Sequence, residues 1–379
     1  MAKHAGKLWL LLFLSPGLCF TEYSLEAEEA ILCSSYTCKL STQEFTSETC
    51  IYYDSSGNGT YYVTNCTNVA YPYCPESAGK NSTCAIKPDP TNVAKWPGEK
   101  CVSNDDCSNY ATKGCVEGIC RGSSIGESCT SQNNCDPGYH CSNSTCVLQL
   151  EIGEKGCNED GDCVNSAGCD IATNAKPGTG VCIEYLSVGE YHRVQSCDST
   201  DYTNMLCASN LCATQCYRSY CLPRLPSLNQ PPVACTSNSN CSSVIDPQYE
   251  MPLYSQCTCG FNPEGKAYCG LFPGDTLYGK YLDKLTDYLE SSALLYCNTE
   301  RRFNPVCMKD WWGAKNMAIY SYYYTIVFDY PDIQNNQDCV AEIFNAKYVS
   351  ISQQYEYYLD NFGNVLTLLS GVVFASMIN

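Results

Sequence analysis

Ser124 sits in GSSIG (Gly122 to Gly126), the G-x-S-x-G arrangement that raises a nucleophilic serine on a turn between a strand and a helix. Such a serine needs a distant histidine and carboxylate, and the chain holds only His4, His140 and His192. The pentapeptide joins two polar, cysteine-dense stretches with no strand-to-helix pattern around it. Ser124 is therefore read as linker, and no catalytic residue is assigned. CNEDGDC places Glu159, Asp160 and Asp162 around a glycine, oxygens of the type that bind calcium. The twelve-residue ligand spacing of calcium loops is absent, and a polar turn between cysteines accounts for the same residues. The three carboxylates stand as candidates for weak calcium binding only. His140 and His192 are isolated and expected on surface loops. No acid–base pair follows from spacing, so the expectation is a non-enzyme without a cofactor.

The residue type with the most chemistry is cysteine, at 32 of 379 positions. That proportion signals a disulfide scaffold, and so many thiols belong in an oxidising compartment. Zinc is the rival, but zinc sites favour CxxC pairs or Cys/His mixtures, and the chain has no CxxC. The start of the chain agrees with export. Lys3, His4 and Lys7 precede the apolar LWLLLFL (Leu8 to Leu14), too short to span a bilayer. Gly17 and Cys19 suit the cleavage positions, so a signal peptide over 1–19 is expected, cut before Phe20. Five sequons, at Asn58, Asn65, Asn81, Asn143 and Asn240, mark candidate glycosylation sites. Asn65 and Asn240 are followed by cysteine, and a disulfide there can block the sugar.

The formal net charge is −18, and losing the leader's two lysines makes it more negative. Phosphate binding needs the opposite sign, so a nucleic-acid partner is excluded. An extracellular protein, or a second copy of this chain, is the expected partner.

The elements behind these residues fall into three compositional regions. From Cys33 to Cys269 there are 28 cysteines in 237 residues; from Gly270 to Phe362 only Cys297, Cys307 and Cys339 remain, with 20 of the 45 aromatics. The first region repeats. Cys101, Cys107, Cys115 and Cys120 follow C-x5-C, loop, C-x4-C; Cys129, Cys135, Cys141 and Cys146 repeat it; Cys157, Cys163, Cys169 and Cys182 form a looser copy. Each unit is too small to fold on apolar burial alone, so cross-links of roughly 2–4 kcal/mol each must substitute. Three connectivities are open within each unit. The expected result is a rod of stapled beads. The divisions are a signal peptide (1–19), an N-terminal cysteine-rich region (20–100), tandem repeats (101–196) and an irregular cysteine-rich region (197–269). A helical aromatic domain (270–362) and an apolar tail (363–379) follow. The fold class is thus small disulfide-rich repeats with short β-hairpins, then a small all-α domain.

On the residues CTSQNNCDPGYHC, this stretch resembles the opening of a Dickkopf-type N-terminal cysteine-rich domain. The tandem copies, secretory start and apolar end together resemble cysteine-rich surface proteins of ciliates and other protists. The later Dickkopf cysteine pattern is absent, so the resemblance implies a bead fold and not a signalling role. CTCGFNPEGKAYC, ending at Cys269, is similar to the end of an EGF-like module.

In the aromatic domain, apolar spacing predicts a helix after Asp275. A second is predicted from Asn304-Pro305 through Phe328, with proline in the first turn. A third is predicted from Asp338 through Phe362. Trp311, Trp312, Tyr322, Tyr323 and Tyr324 are candidates for binding a partner or glycan, the alternative being that they form the core. The tail VLTLLSGVVFASMI (Val365 to Ile378) resembles a GPI-attachment signal with Ser350 as the acceptor; membrane insertion or burial in an assembly are the alternatives. Loss of Cys19 with the leader leaves an odd number of cysteines, which predicts an interchain disulfide from Cys297, Cys307 or Cys339. The functional expectation is a structural, protective or adhesive cell-surface glycoprotein; the alternatives are an extracellular receptor or soluble ligand-binding protein and, last, a secreted enzyme.

Overall fold

The polar, glycine-rich cysteine stretches cannot build an apolar core, and the cystines take its place. A computed structural model describes residues 30–359 except 41–47, 57–58, 76–79, 89–93, 173, 198–203 and 216–217. Within them, thirty cysteines form fifteen disulfides. The remaining two, Cys19 and Cys216, lie outside the described residues. The signal-peptide and tail segments also lie outside them, as does Asn58.

In each bead the connectivity is first to third and second to fourth. The clear copies pair Cys101–Cys115 with Cys107–Cys120, and Cys129–Cys141 with Cys135–Cys146. The looser copy pairs Cys157–Cys169 with Cys163–Cys182. The same crossed pairing continues through the stretch that reads as irregular, once the extra cysteine of each unit, Cys216 and Cys259, is set aside. Cys197–Cys212 with Cys207–Cys221 makes a fourth bead, and Cys235–Cys257 with Cys241–Cys269 a fifth.

A local signal explains the recurrence. In four beads the residue before the second cysteine is Asp or Asn, and its side-chain oxygen accepts from an amide just after the first cysteine. Asp106 takes Val102 N–H at 2.6 Å, Asn134 takes Thr130 at 2.9 Å, Asp162 takes Asn158 at 2.8 Å and Asn240 takes Thr236 at 2.9 Å. This closes a 3₁₀ turn between the two cysteines, using short polar side chains that favour such local bonds. A hairpin then brings the third and fourth cysteines side by side, as in Cys141 opposite Cys146. Its two-residue turn, Asn143 and Ser144 (φ 49° and 62°), has the twist that suits a tight hairpin.

The N-terminal region forms a four-stranded sheet from β1 (Ser35–Cys38), β2 (Thr49–Asp54), β3 (Thr60–Val63) and β4 (Ser82–Thr83), in the order β1-β3-β2-β4. At the other end, helix α1 (Thr276–Leu289) follows Asp275 as expected. The second expected helix is two. Asn304 caps α2 (Pro305–Trp312), its side chain accepting from Val306 N–H, and Gly313 at φ 90° breaks the chain before α3 (Ala314–Phe328). Asp338 does begin α4 (Asp338–Phe344), which is interrupted at Asn345 (φ −126°) before a further helical stretch, 346–359.

Two expectations are overturned. The first is the interchain disulfide: Cys297 pairs with Cys307, and Cys339 pairs with Cys38 across 301 residues. Second, the beads do not extend as a rod away from a separate helical domain. Every bead touches the helical region: the largest apolar core, twenty buried residues, is shared with the third and fourth beads and the linker between them, and the first, second and fifth are joined by hydrogen bonds to Asp310, Asn298 and Asn335. Tyr185, Val194, Met205 and Leu206 from the bead side pack there with Leu285 and Tyr288 of α1. The N-terminal sheet closes the circuit, burying Ile51, Tyr61 and Val63 against Val340 of α4.

Arg302 is the main peg of this arrangement. It is 1% exposed, and its guanidinium donates to the carbonyls of Asp160 (2.7 Å), Ala167 (2.9 Å) and Thr299 (2.7 Å). Asn298 beside it donates to the Cys135 carbonyl of the second bead at 2.7 Å. Thr299 donates to Gly161 of the third bead at 3.0 Å. The loop between α1 and α2 therefore supplies the polar ends that three-residue turns in the beads leave unpaired.

Candidate functional site: a tyrosine-lined cleft

Helices α1 and α3 cross with their tyrosines facing each other, and the fourth bead leans over the gap. The result is an open cleft of about 820 Å³, within the ~300–1,000 Å³ of small-molecule sites. Its walls are Tyr278 and Tyr281 from α1 and Tyr320 and Tyr324 from α3, with Phe303 and Phe328 at the ends. The spacing that makes the helices pack, residues three or four apart on one face, also lines up these rings.

Tyr281 and Tyr320 are buried, while Tyr324 is 38% and Phe328 54% exposed. The Tyr324 and Phe328 rings lie 4.5 Å apart at the mouth. Burial pushes the phenols of Tyr278, Tyr281 and Tyr320 above their ordinary values. They stay protonated and act as neutral hydrogen-bonding groups rather than bases.

Two buried polar atoms in this lining have no partner: Asn210 Oδ1 of the fourth bead and Thr325 Oγ1 of α3. Asn210 is 7% exposed and Thr325 1%. The amide of Asn210 donates to Tyr278 Oη at 3.0 Å, which fixes its oxygen on the other side. Native interiors leave few such groups unpaired. The charged residues of the lining are Glu300 and Lys347, one of each sign.

The other candidate residues are placed as follows. Tyr324 lines the cleft, whereas Tyr322 and Tyr323 contact Tyr355 of the 346–359 stretch, at 4.0 and 5.8 Å between ring centroids. Trp311 docks the first bead: its indole donates to Gly98 O at 2.8 Å and stacks on Tyr296 at 4.3 Å. Trp312 packs on Tyr288 in the core. Ser124 is exposed on a turn where its N–H donates to Glu127 at 2.6 Å.

The three acidic residues of CNEDGDC are engaged within the protein. Asp160 accepts from Cys169 N–H (2.8 Å) and Tyr185 Oη (3.0 Å), Asp162 holds His140 at 2.7 Å, and Glu159 accepts from Gln132 at 2.6 Å. His140 is thus corrected from a surface-loop residue to a buried one, 6% exposed, that joins the second bead to the third. His192 is exposed, as expected. Sulfurs gather within 4.8 Å inside the beads, but they belong to disulfides and are not thiolate ligands for zinc.

Among the sequons, Asn65, Asn81, Asn143 and Asn240 are exposed. Both flanking cysteines are bonded, Cys66 to Cys84 and Cys241 to Cys269, and Asn240 Oδ1 is the cap of its turn. Ser350 is exposed in the 346–359 helical stretch. Among the described residues, no helix is long and apolar enough to cross a membrane.

Against known protein families, curated proteins and solved structures, the chain finds no match. The Dickkopf-type and EGF-like resemblances gain no support there. What the cross-linking does establish is the class: a disulfide-stabilised protein of the extracellular kind, since fifteen disulfides require an oxidising compartment. The cleft was missed by sequence reasoning because Asn210 and Thr325 come to line one cleft only after folding. The one legible signal was the density of tyrosine on the α1 and α3 faces.

Proposed function

We propose that this chain is a non-enzymatic extracellular glycoprotein of the cell surface that binds a small ligand in the tyrosine-lined cleft. The observation that carries the reading is the pair of buried, unpartnered atoms, Asn210 Oδ1 and Thr325 Oγ1, in an aromatic cleft open to solvent. A buried polar group without a partner is costly, and a ligand that supplies one removes the cost. The walls come from α1 and α3, and the disulfides Cys197–Cys212 and Cys207–Cys221 shape the bead that places Asn210 beside them. Asn81 and Asn143 carry the glycans in this reading, and the tail with Ser350 attaches the protein to the membrane. The strongly negative charge keeps nucleic acid out.

A protective or structural coat is the second reading, favoured by the density of cross-links. The binding reading is tested on the full chain with 8-anilinonaphthalene-1-sulfonate, a fluorescent probe of apolar clefts. One saturable site per chain, lost in the Tyr324→Ala, Phe328→Ala double variant, is expected. A signal that never saturates, or that the double variant retains, would leave the coat reading in its place. Mass spectrometry of unreduced protein from its native source checks the anchoring: a glycolipid at Ser350 is expected, and an intact tail ending at Asn379 refutes it.

A further inference from the structure

Resting on the cleft as a ligand seat, we infer that its ligand is a neutral saccharide, a polyhydroxylated ring with one apolar face, seated against the exposed aromatic rings and hydrogen-bonded to Asn210 and Thr325. Three features of the lining select this chemistry over others.

The first is the pair of unpartnered atoms. Asn210 Oδ1 can only accept, whereas Thr325 Oγ1 can donate or accept. A hydroxyl meets either need. A hydrocarbon ligand would leave both atoms buried and unpaired. The second is the aromatic mouth. Tyr324 and Phe328 keep 38% and 54% of their surface exposed and pack against each other, ring centroids 4.5 Å apart, as one aromatic patch. The electron-rich face of an aromatic ring attracts the polarised C–H bonds on the apolar side of a sugar.

The third is charge. Glu300 and Lys347 are of opposite sign, and Lys347 Nζ lies 5.8 Å from the centre of the Tyr324 ring. The phenols stay neutral. The lining therefore offers no excess of either sign with which to select a charged ligand, and the Ser321 hydroxyl and Asn304 amide add to its neutral hydrogen-bonding capacity. The cleft is open, so a terminal ring can enter while the remainder of a longer glycan stays in solvent.

The test uses the full, disulfide-intact chain and competition between the bound 8-anilinonaphthalene-1-sulfonate probe and a panel of maltose, cellobiose, mannobiose, lactose and chitobiose. At least one disaccharide is expected to displace the probe with saturation. Thr325→Val is expected to weaken that disaccharide about tenfold, the value of one lost neutral hydrogen bond. Its thermal midpoint should not fall, because the hydroxyl it removes has no partner in the empty protein. Tyr324→Ala, at an already exposed ring, should weaken the same disaccharide by removing a stacking face.

If the probe binds one site but palmitate displaces it and no disaccharide does, the ligand is apolar: the saccharide inference falls and the cleft survives. Saccharide binding that neither variant weakens places the sugar elsewhere and also overturns the inference. If the probe finds no single site, the binding reading falls and this inference falls with it.

Discussion

The second bead and the helical region reach stability by opposite routes. The bead buries Cys129, Cys135 and Cys146, with Tyr139 and Cys141 partly covered, and has no larger core. Its cross-links act chiefly on the unfolded chain, by shortening what must be ordered. The helical region contains a single disulfide of its own, Cys297–Cys307, and relies on apolar and aromatic burial centred on Leu282, Leu285 and Tyr288. Yet the two are not independent, because Asn298 of the helical region donates to the Gln132 and Cys135 carbonyls of the bead. The difference teaches that covalent staples suffice to shape a unit of some twenty residues but not to place it. Placement comes from ordinary packing and hydrogen bonds.

Arg302→Met should break that placement most severely. It removes the shared donor of several buried carbonyls, each costing about 1–3 kcal/mol when left unpaired, so a loss of about 4 kcal/mol is expected in urea unfolding. A variant within 1 kcal/mol of the parent would mean that the beads place themselves. Removing a staple should cost somewhat less. Cys129→Ala with Cys141→Ala opens a loop of 12 residues, for which about 3 kcal/mol is expected. Limited proteolysis should then cut first inside the second bead, with the helical region still protected.

Gly98→Ala tests the joint between the first bead and the helical region. Gly98 has φ 92°, and a methyl group there would collide with the Tyr296 carbonyl. The conformation and the overlap together should cost about 2 kcal/mol, read as a lowered thermal midpoint. The smallest effect concerns the joint between the second and third beads. Burial opposes the charge on Asp162, but hydrogen bonds from His140 and from Asn158 N–H prevail and hold its carboxyl below the usual range. A carboxyl lowered on folding stabilises the protein above its unfolded value of about 3.9, and that contribution disappears as pH falls through the folded value. His140→Ala should raise the folded value, so the acid unfolding midpoint followed by tyrosine fluorescence should move to higher pH. An unchanged midpoint would show that the bead–bead joint does not depend on this pair.

Much of the local architecture was legible. The C-x5-C and C-x4-C spacing marks three beads, and Asp275, Asn304-Pro305 and Asp338 mark helix starts, because caps and prolines act over a few residues. The fourth bead escaped notice for an equally local reason: nine residues, not five, separate Cys197 from Cys207, and Cys216 adds a fifth cysteine. The break at Gly313 was visible as a glycine but masked by apolar spacing that continues across it. Illegible by nature were Cys33–Cys259 and Cys38–Cys339, since spacing says nothing about partners more than 200 residues apart. The burial of Arg302 and the placement of Asn210 and Thr325 in one cleft were hidden in the same way. Aromatic residues could be counted in advance, but which of them face solvent depends on where the beads dock.

The pairing of Cys38 with Cys339 and of Cys33 with Cys259 has a consequence for survival among extracellular proteases. Every peptide bond from Cys33 to Cys339 lies inside a covalent ring. A single nick anywhere in that span opens the ring and liberates no fragment. Damage to an exposed linker is thereby survivable, and the cleft keeps both of its walls after one cut. Beyond Cys339 the ring ends. One incision in the stretch that follows, which holds no cysteine, detaches everything C-terminal to the cut at once.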